Sequence, residues 1–430
     1  MMMVKECEMM GIHVVRSGES LWAISSRYGT PIQSIIELNA LPPTSSLVPG
    51  LALYIPDNQL AIRSYRIKQG DHIWKLAQQF RVDISVILGA NPGIDPNQLF
   101  IGQIINIPSP VKLDIATLGF IVPSGDSRIL AILDTLADQL TYLAVVAYSF
   151  TAEGYAYNEI EDSAIVERSK QLNITPLLMI RNFTGVDFSA ELAGQVLGNP
   201  EFRRNLVESM VNLTRQRGYG GVSIDFEFIP PPRRNDFNLF LRELKNALGE
   251  LILHVNVHAK TEDIPTNRII GAYDYAAIGS VADIVAVMTI DYGYPGGPPD
   301  PVSPIWWMEQ VVQYSITQIN PRKLQIAMPL YGYDKVVGTN ATRALAIATA
   351  QNQAISIGSP IQFDLPSMSP WYRHWSTGVE HVVWYEDIRS FIEKYRLIDR
   401  YQLLGATFWQ ISLAAPQNWN YLSKNSSVMK

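Results

Sequence analysis

From Val111 onward, short apolar runs rich in β-branched and aromatic residues alternate with stretches whose apolar positions recur at helical spacing. LGFIV (118–122), YLAVVAYSF (142–150), PLLMIR (176–181), VSIDFEF (222–228), LILHVNVH (251–258), DIVAVMTI (283–290), LQIAMPLYG (324–332) and GATFWQI (405–411) read as strands. Segments such as EFRRNLVESMVNLTRQRG and RNDFNLFLRELKNAL, lying between them, read as amphipathic helices. Eight strands alternating with helices predict an α/β fold, a (β/α)8 barrel. An open doubly wound sheet is the alternative, but no Gly-x-Gly-x-x-Gly follows the first strand.

The N-terminal part has a different texture. Gly18–Pro56 and Gly70–Pro108 align without a gap, with Gly18/Gly70, Trp22/Trp74, Asn39/Asn91, Gly50/Gly102 and Ile55/Ile107 among the identical pairs. Each copy reads as strand, helix, helix, strand, an α+β module of βααβ order. Leu21, Ile24 and Tyr28 in one copy, and Ile73, Leu76 and Phe80 in the other, mark the apolar face of the first helix. Trp22 and Trp74 are read as core residues. The expected divisions are a tail over 1–11, modules over 12–57 and 64–109, and the barrel over 111–430.

Composition narrows the partners. At 430 residues, the chain is long for one core, and it is 47% hydrophobic and 17% charged, as in folded globular proteins. A net charge of −6 offers no basic footprint, so nucleic acid is not expected. The lone Cys7 excludes an internal disulfide framework. The opening MMMVKECEMMGIHVV lacks an uninterrupted apolar core, so no secretory signal is expected, and no run approaches the ~20 apolar residues that span a bilayer.

The candidate chemistry lies in VSIDFEF. If this is the fourth barrel strand, Val222, Ile224, Phe226 and Phe228 face the helices, and Ser223, Asp225 and Glu227 face inward, with Glu227 at the C-terminal mouth. Neighbouring, partly buried carboxylates do not both ionise readily, which leaves one with a proton to donate. His254, Asn256 and His258 share one face of the next strand; without a third ligand they read as interior or cleft lining. No metal and no cofactor are expected.

The two repeats resemble LysM domains, which run from G-D/E-x-L-W through a mid-module Asn to a G-x-x-L-x-I-P close. That resemblance implies binding to N-acetylglucosamine glycans, namely peptidoglycan or chitin. It places the sugar between Ser17–Ser20 and Asn39–Ser45, and between Gln69–His72 and Asn91–Asn97, with Gly18, Asn39, Gly70 and Asn91 as candidate contacts. GGVSIDFEF resembles the D-x-x-D-x-D-x-E signature of glycoside hydrolase family 18, and VMTIDYGYPGGPP, MPLYGYD, HVVWYEDIRS and GATFWQISLAAPQNW resemble later family segments in order.

The second resemblance implies substrate-assisted hydrolysis with retention. Glu227 would act as acid and then base, Asp225 would hold the substrate acetamido group, Asp291 would contact the sugar, Trp409 would form the floor and Tyr331 the rim. Three positions depart from the pattern: Gly220 and Ser223 stand where the first two acids would be, and Ile290 replaces the sixth-strand tyrosine, with Tyr292 the candidate substitute. The combination resembles spore-associated peptidoglycan hydrolases of endospore-forming bacteria that act as N-acetylglucosaminidases on cortex fragments. It implies a spore or cell-wall location and a monomer anchored to glycan. A chitinase, or a non-catalytic glycan-binding barrel, are the competing readings.

Overall fold

The computed structural model describes residues 11–43, 46–55, 59–123, 128–158 and 160–430. Cys7, most of the N-terminal tail, Pro56 and the end of the Asn39–Ser45 loop lie outside the described residues. Eight parallel strands close on themselves: β1 (Leu113–Ile121), β2 (Tyr142–Phe150), β3 (Thr175–Arg181), β4 (Gly221–Asp225), β5 (Ile252–His258), β6 (Ile284–Met288), β7 (Leu324–Pro329) and β8 (Gly405–Trp409). Each pairs in parallel with the next, and β8 returns to β1 through Gly405↔Ala116 to Phe408↔Gly119.

The period-two pattern sorts into two layers. Leu118 and Phe120 of β1, Ala144 and Val146 of β2, and Leu177 and Met179 of β3 pack inside the barrel. Their neighbours Leu143, Val145, Leu178, Ile180, Val222 and Ile224 join the layer under the outer helices. Gly405 approaches Ala116 so closely that a Cβ there would lie 1.9 Å from the Ala116 carbonyl oxygen, so this seam of the barrel needs glycine.

The N-terminal units have the expected order. The first runs Ile12–Val14, Leu21–Tyr28, Ile32–Leu38, Ala52–Tyr54, and the second Ala61–Arg66, Ile73–Gln79, Ile84–Ala90, Ile104–Ser109, each with its two strands paired antiparallel. Ser20 caps the first helix through Ala23 N–H, and the His72 ring does the same through Lys75 N–H. The apolar core of the first unit (Ile12, Ile24, Ile35, Leu53) is continuous with that of the barrel. The second unit has a core of its own around Leu76, Phe80, Ile87 and Ile107. It docks by polar contacts instead. Arg63 grips the buried Asp399 carboxylate with two nitrogens, each at 2.8 Å, and Ser64 N–H adds a third bond to it.

One region departs from the sequence reading. LQIAMPLYG is not one strand: β7 stops at Pro329, and Tyr331–Val336 starts an antiparallel sheet inserted between β7 and β8. The sheet order is Thr342–Ala346, Tyr331–Val336, Val379–Trp384, Ser369–Ser376, Gln362–Asp364, with helix Ile347–Ile357 packed beside it. HVVWYEDIRS is therefore the end of a strand followed by a helix, Ile388–Tyr401, which opens with a capping box at Asp387.

Candidate active site

The C-terminal ends of the barrel strands converge on a cleft of about 560 Å³. The last residues of β3, β4, β5 and β8, which are Arg181, Asp225, His258 and Trp409, all line it. Asp225 faces inward as the alternation requires and is 7% exposed. No hydrogen bond to its carboxylate comes from the described residues. Burial first, and then the charge of Glu227, push its pKa well above the usual carboxylate value, with Arg181 opposing.

Glu227 reaches the mouth by another route than a strand. The β4 ladder ends at Asp225, and Asn182 captures the next turn: its Oδ1 accepts Glu227 N–H, and its Nδ2 donates to the Glu227 carbonyl, each at 2.9 Å. Tyr273 Oη donates to the Phe226 carbonyl at 2.6 Å. These bonds replace the lost ladder and set the carboxylate in the cleft, with His258 Nε2 3.1 Å from Oε2. Phe228, expected against the helices, instead adopts a left-handed backbone (φ 54°) and lines the cleft. Phe226 keeps the expected side, stacked 5.5 Å from Phe240.

Deeper in the barrel the polar residues are paired with one another. Ser223 Oγ lies 2.8 Å from His254 Nδ1, and Asn256 donates to the Ile224 carbonyl at 3.1 Å. Burial pushes the His254 pKa down to about 3, so this ring is neutral. Among the described residues, His254 and His258 join no set of three metal-ligating groups.

Asp291, three residues past the end of β6, is brought to the cleft beside Ile290 and Met288. Its Oδ1 accepts from Tyr331 Oη at 2.6 Å and Tyr333 Oη at 2.7 Å. Burial raises its pKa, the two phenols lower it and Glu227 raises it, with a net upward shift. Tyr331 is therefore not a rim residue. It is 6% exposed, with its hydroxyl on Asp291. Tyr292 is not brought to the cleft: its ring packs edge-on to Trp306 at 5.2 Å and against Trp307 at 5.4 Å. Trp409 lines the cleft, with Phe120 behind it at 5.4 Å.

Sequence reasoning missed Arg181 and Asn182. Their signal was a charged and an amide residue ending an otherwise apolar strand at the catalytic end of the barrel.

In the N-terminal units, the candidate contacts change places. Asn39 and Asn91 do not turn their amides to the expected grooves; Asn39 is buried and Asn91 half-buried. Asn39 donates to the Ile35 and Tyr54 carbonyls and accepts Tyr54 N–H. Asn91 makes the same three bonds, to Ile87 and Asn106. Both are pins between helix and strand. Trp22 and Trp74, read as core, are 71% and 59% exposed. Gly18 and Gly70 hold the left-handed turns ahead of these tryptophans (φ 82° and 81°). The first unit's loop is also met by the rest of the chain, for Gln351 donates to the Asn39 carbonyl and Asn352 to that of Ala40, both at 2.8 Å.

Comparison with known proteins adds the following. The profile of Glycosyl hydrolases family 18 matches residues 117–414, and that of the LysM domain matches 13–56 and 65–108. A Bacillus subtilis protein named only provisionally as the sporulation-specific glycosylase YdhD is 36% identical over 419 residues, 95% of this chain and 97% of that one. The cortical fragment-lytic enzyme of Bacillus subtilis is 32% identical over 434 residues, covering 98% and 99%. The crystal structure of the Bacillus cereus spore cortex-lytic enzyme SleL superposes with a TM-score of 0.85 at 28% identity, covering 97% of this chain and 98% of that one.

Proposed function

This chain belongs to glycosyl hydrolases family 18 and carries two LysM domains ahead of its barrel, and on that footing we propose that it cleaves peptidoglycan after N-acetylglucosamine. Spore cortex fragments are the proposed substrate, and the spore or cell wall the place of action. Both domain types point to glycans containing N-acetylglucosamine. The cortical fragment-lytic relative, aligned over nearly the whole of both chains, favours cortex fragments over chitin.

The observation that carries the reading is the pair at the end of β4: a buried Asp225 whose carboxylate takes no hydrogen bond from the described residues, beside a Glu227 whose backbone is held on both sides by Asn182. Glu227 donates its proton to the glycosidic oxygen as the C1–O bond breaks. The substrate's acetamido carbonyl oxygen closes on C1, and Asp225 accepts the acetamido N–H, which stabilises the positive charge developing on the ring so formed. Water then attacks C1 and gives its proton to Glu227, so the sugar leaves with its configuration retained. This is not the two-carboxylate scheme, since the nucleophile belongs to the substrate. Trp409 offers an apolar floor for the pyranose. Asp291, steadied at Oδ1 by Tyr331 and Tyr333, accepts from the sugar with its other oxygen. Ile290 leaves the acetamido oxygen without the family's tyrosine donor. The exposed Trp22 and Trp74, beside the Gly18 and Gly70 turns, serve as glycan platforms in place of Asn39 and Asn91.

The test is a parallel digestion of cortex fragments and N-acetylglucosamine oligomers, with products read by mass and by reducing end. New N-acetylglucosamine ends from cortex fragments at the higher rate support the proposal. Faster cleavage of the oligomers, with muropeptides untouched, identifies a chitinase. Binding to both without turnover identifies a non-catalytic barrel, the reading that Ile290 favours.

A further inference from the structure

The inserted sheet carries a polar pocket that the sugar cleft does not use. We propose that Asp334, His374 and His381 form a binding site for one divalent transition-metal ion of the zinc class. The three residues come from three adjacent strands, and the register assembles them. His374 lies directly across from His381, and His381 across from Val336, two positions beyond Asp334. Period-two alternation therefore puts all three on one face. One ligating atom from each lies within 4.8 Å of the others. Ligand atoms around a tetrahedral zinc stand roughly 3.3 Å apart, so side-chain adjustment of about an ångström closes the set.

In the present arrangement the three side chains already touch one another. His381 Nδ1 lies 2.7 Å from Asp334 Oδ1, His374 Nε2 lies 3.5 Å from Oδ2, and the two imidazoles stack with centroids 4.6 Å apart. Two imidazoles and a carboxylate are a donor set suited to zinc. Asp334 is 3% exposed, and a buried carboxylate requires a positive partner. Arg343 and Gln353 also donate to its Oδ2, at 3.0 and 3.4 Å. Arg343, 3.0 Å from Oδ2, has a side chain 64% exposed and can swing into solvent. Gln353, on helix Ile347–Ile357, places its amide Nε2 3.0 Å from His374 Nε2 while its Oε1 accepts from Arg343 at 3.1 Å; turning the amide over as Arg343 leaves would present the oxygen as a fourth ligand. The pocket holds about 550 Å³ and is open at the exposed Trp375.

The strand carrying Asp334 has a second face. Tyr331 and Tyr333 hold Asp291, and Lys335 donates to the carbonyls of Tyr294 and Pro298 at the cleft edge. An ion at Asp334 would clamp the strand from behind and so stabilise the insert.

The test uses the full chain, stripped with chelator and titrated with Zn2+ by calorimetry and with Co2+ by visible absorption. The expected result is one ion per chain, Co2+ bands of a nitrogen- and oxygen-ligated centre, and a higher melting temperature with Zn2+. His374→Ala/His381→Ala should weaken binding at least about 100-fold and abolish the melting shift. Glycosidase turnover and the circular dichroism spectrum of that variant check that it folds. If it does not fold, His374→Gln alone should still lose affinity by about tenfold or more. No binding by the wild type, or stoichiometry and affinity unchanged in the variants, would overturn the site.

Discussion

The barrel mouth and the N-terminal units treat their polar residues in opposite ways. In the units, the asparagines at matching positions of both repeats spend their amides on the backbone, and the groups left facing solvent are two tryptophans. At the mouth, Asp225 is buried with no hydrogen bond from the described residues, while the amide of Asn182 goes to positioning Glu227. A buried polar group without a partner costs stability, so its persistence marks a place where a ligand completes the bonding. A buried group with all its bonds made marks a joint. The difference separates the part that does chemistry from the parts that hold.

The largest test of that contrast is Glu227→Gln. It should lower kcat by roughly 10²–10⁴-fold while retention on insoluble glycan stays as in the wild type, measured by turnover and by pull-down. Asp225→Asn comes next. It should cut kcat by about 10²-fold and also raise the melting temperature at neutral pH. The sign follows from the raised pKa: relative to the unfolded chain, Asp225 favours folding only while protonated, and that contribution is lost as pH rises through its elevated folded-state value. The stabilisation by Asn should therefore fade as pH falls from that elevated value toward the ordinary carboxylate value of 3.8 and be absent below it, and a melting series across pH checks it.

In the second unit, Asn91→Ala should destabilise by about 1–3 kcal/mol, because it strands the Ile87 and Asn106 backbone groups. The measurement is denaturant unfolding, and soluble-substrate turnover should not change. Ile290→Tyr restores a donor toward the acetamido oxygen and should raise kcat by about tenfold or more, with little change in the unfolding midpoint. Trp22→Ala/Trp74→Ala should have the smallest effect, about 0.5–1.5 kcal/mol of glycan binding per ring with stability unchanged, since both rings are exposed. If the melting temperature fell sharply instead, the tryptophans would be core and the contrast would fail.

Much of the barrel was legible because alternation in strands such as VSIDFEF and LILHVNVH is enforced by two different faces, one under helices and one inside. The end of β4 was not, since the pattern continues through Phe228 while the hydrogen bonds stop at Asp225 and pass to Asn182, a residue far away in sequence. The inserted sheet was hidden by LQIAMPLYG, where a continuous apolar run crosses from a parallel strand into an antiparallel one at Leu330. The tryptophan reading failed on geometry available in the sequence: Trp22 follows Leu21 and so sits ~100° round the helix from the apolar stripe. Tyr292 could not be read at all, because its direction depends on Trp306 and Trp307 of the following helix.

The claim that Glu227 works with the substrate's own acetamido group is tested most directly by the anomer first released. Cleavage of a soluble N-acetylglucosamine-containing oligosaccharide followed by proton NMR, before mutarotation, should show the β-anomer at the new reducing end from the wild type and no product from Glu227→Gln. An α-anomer as first product, or turnover by Glu227→Gln close to that of the wild type, would contradict the account.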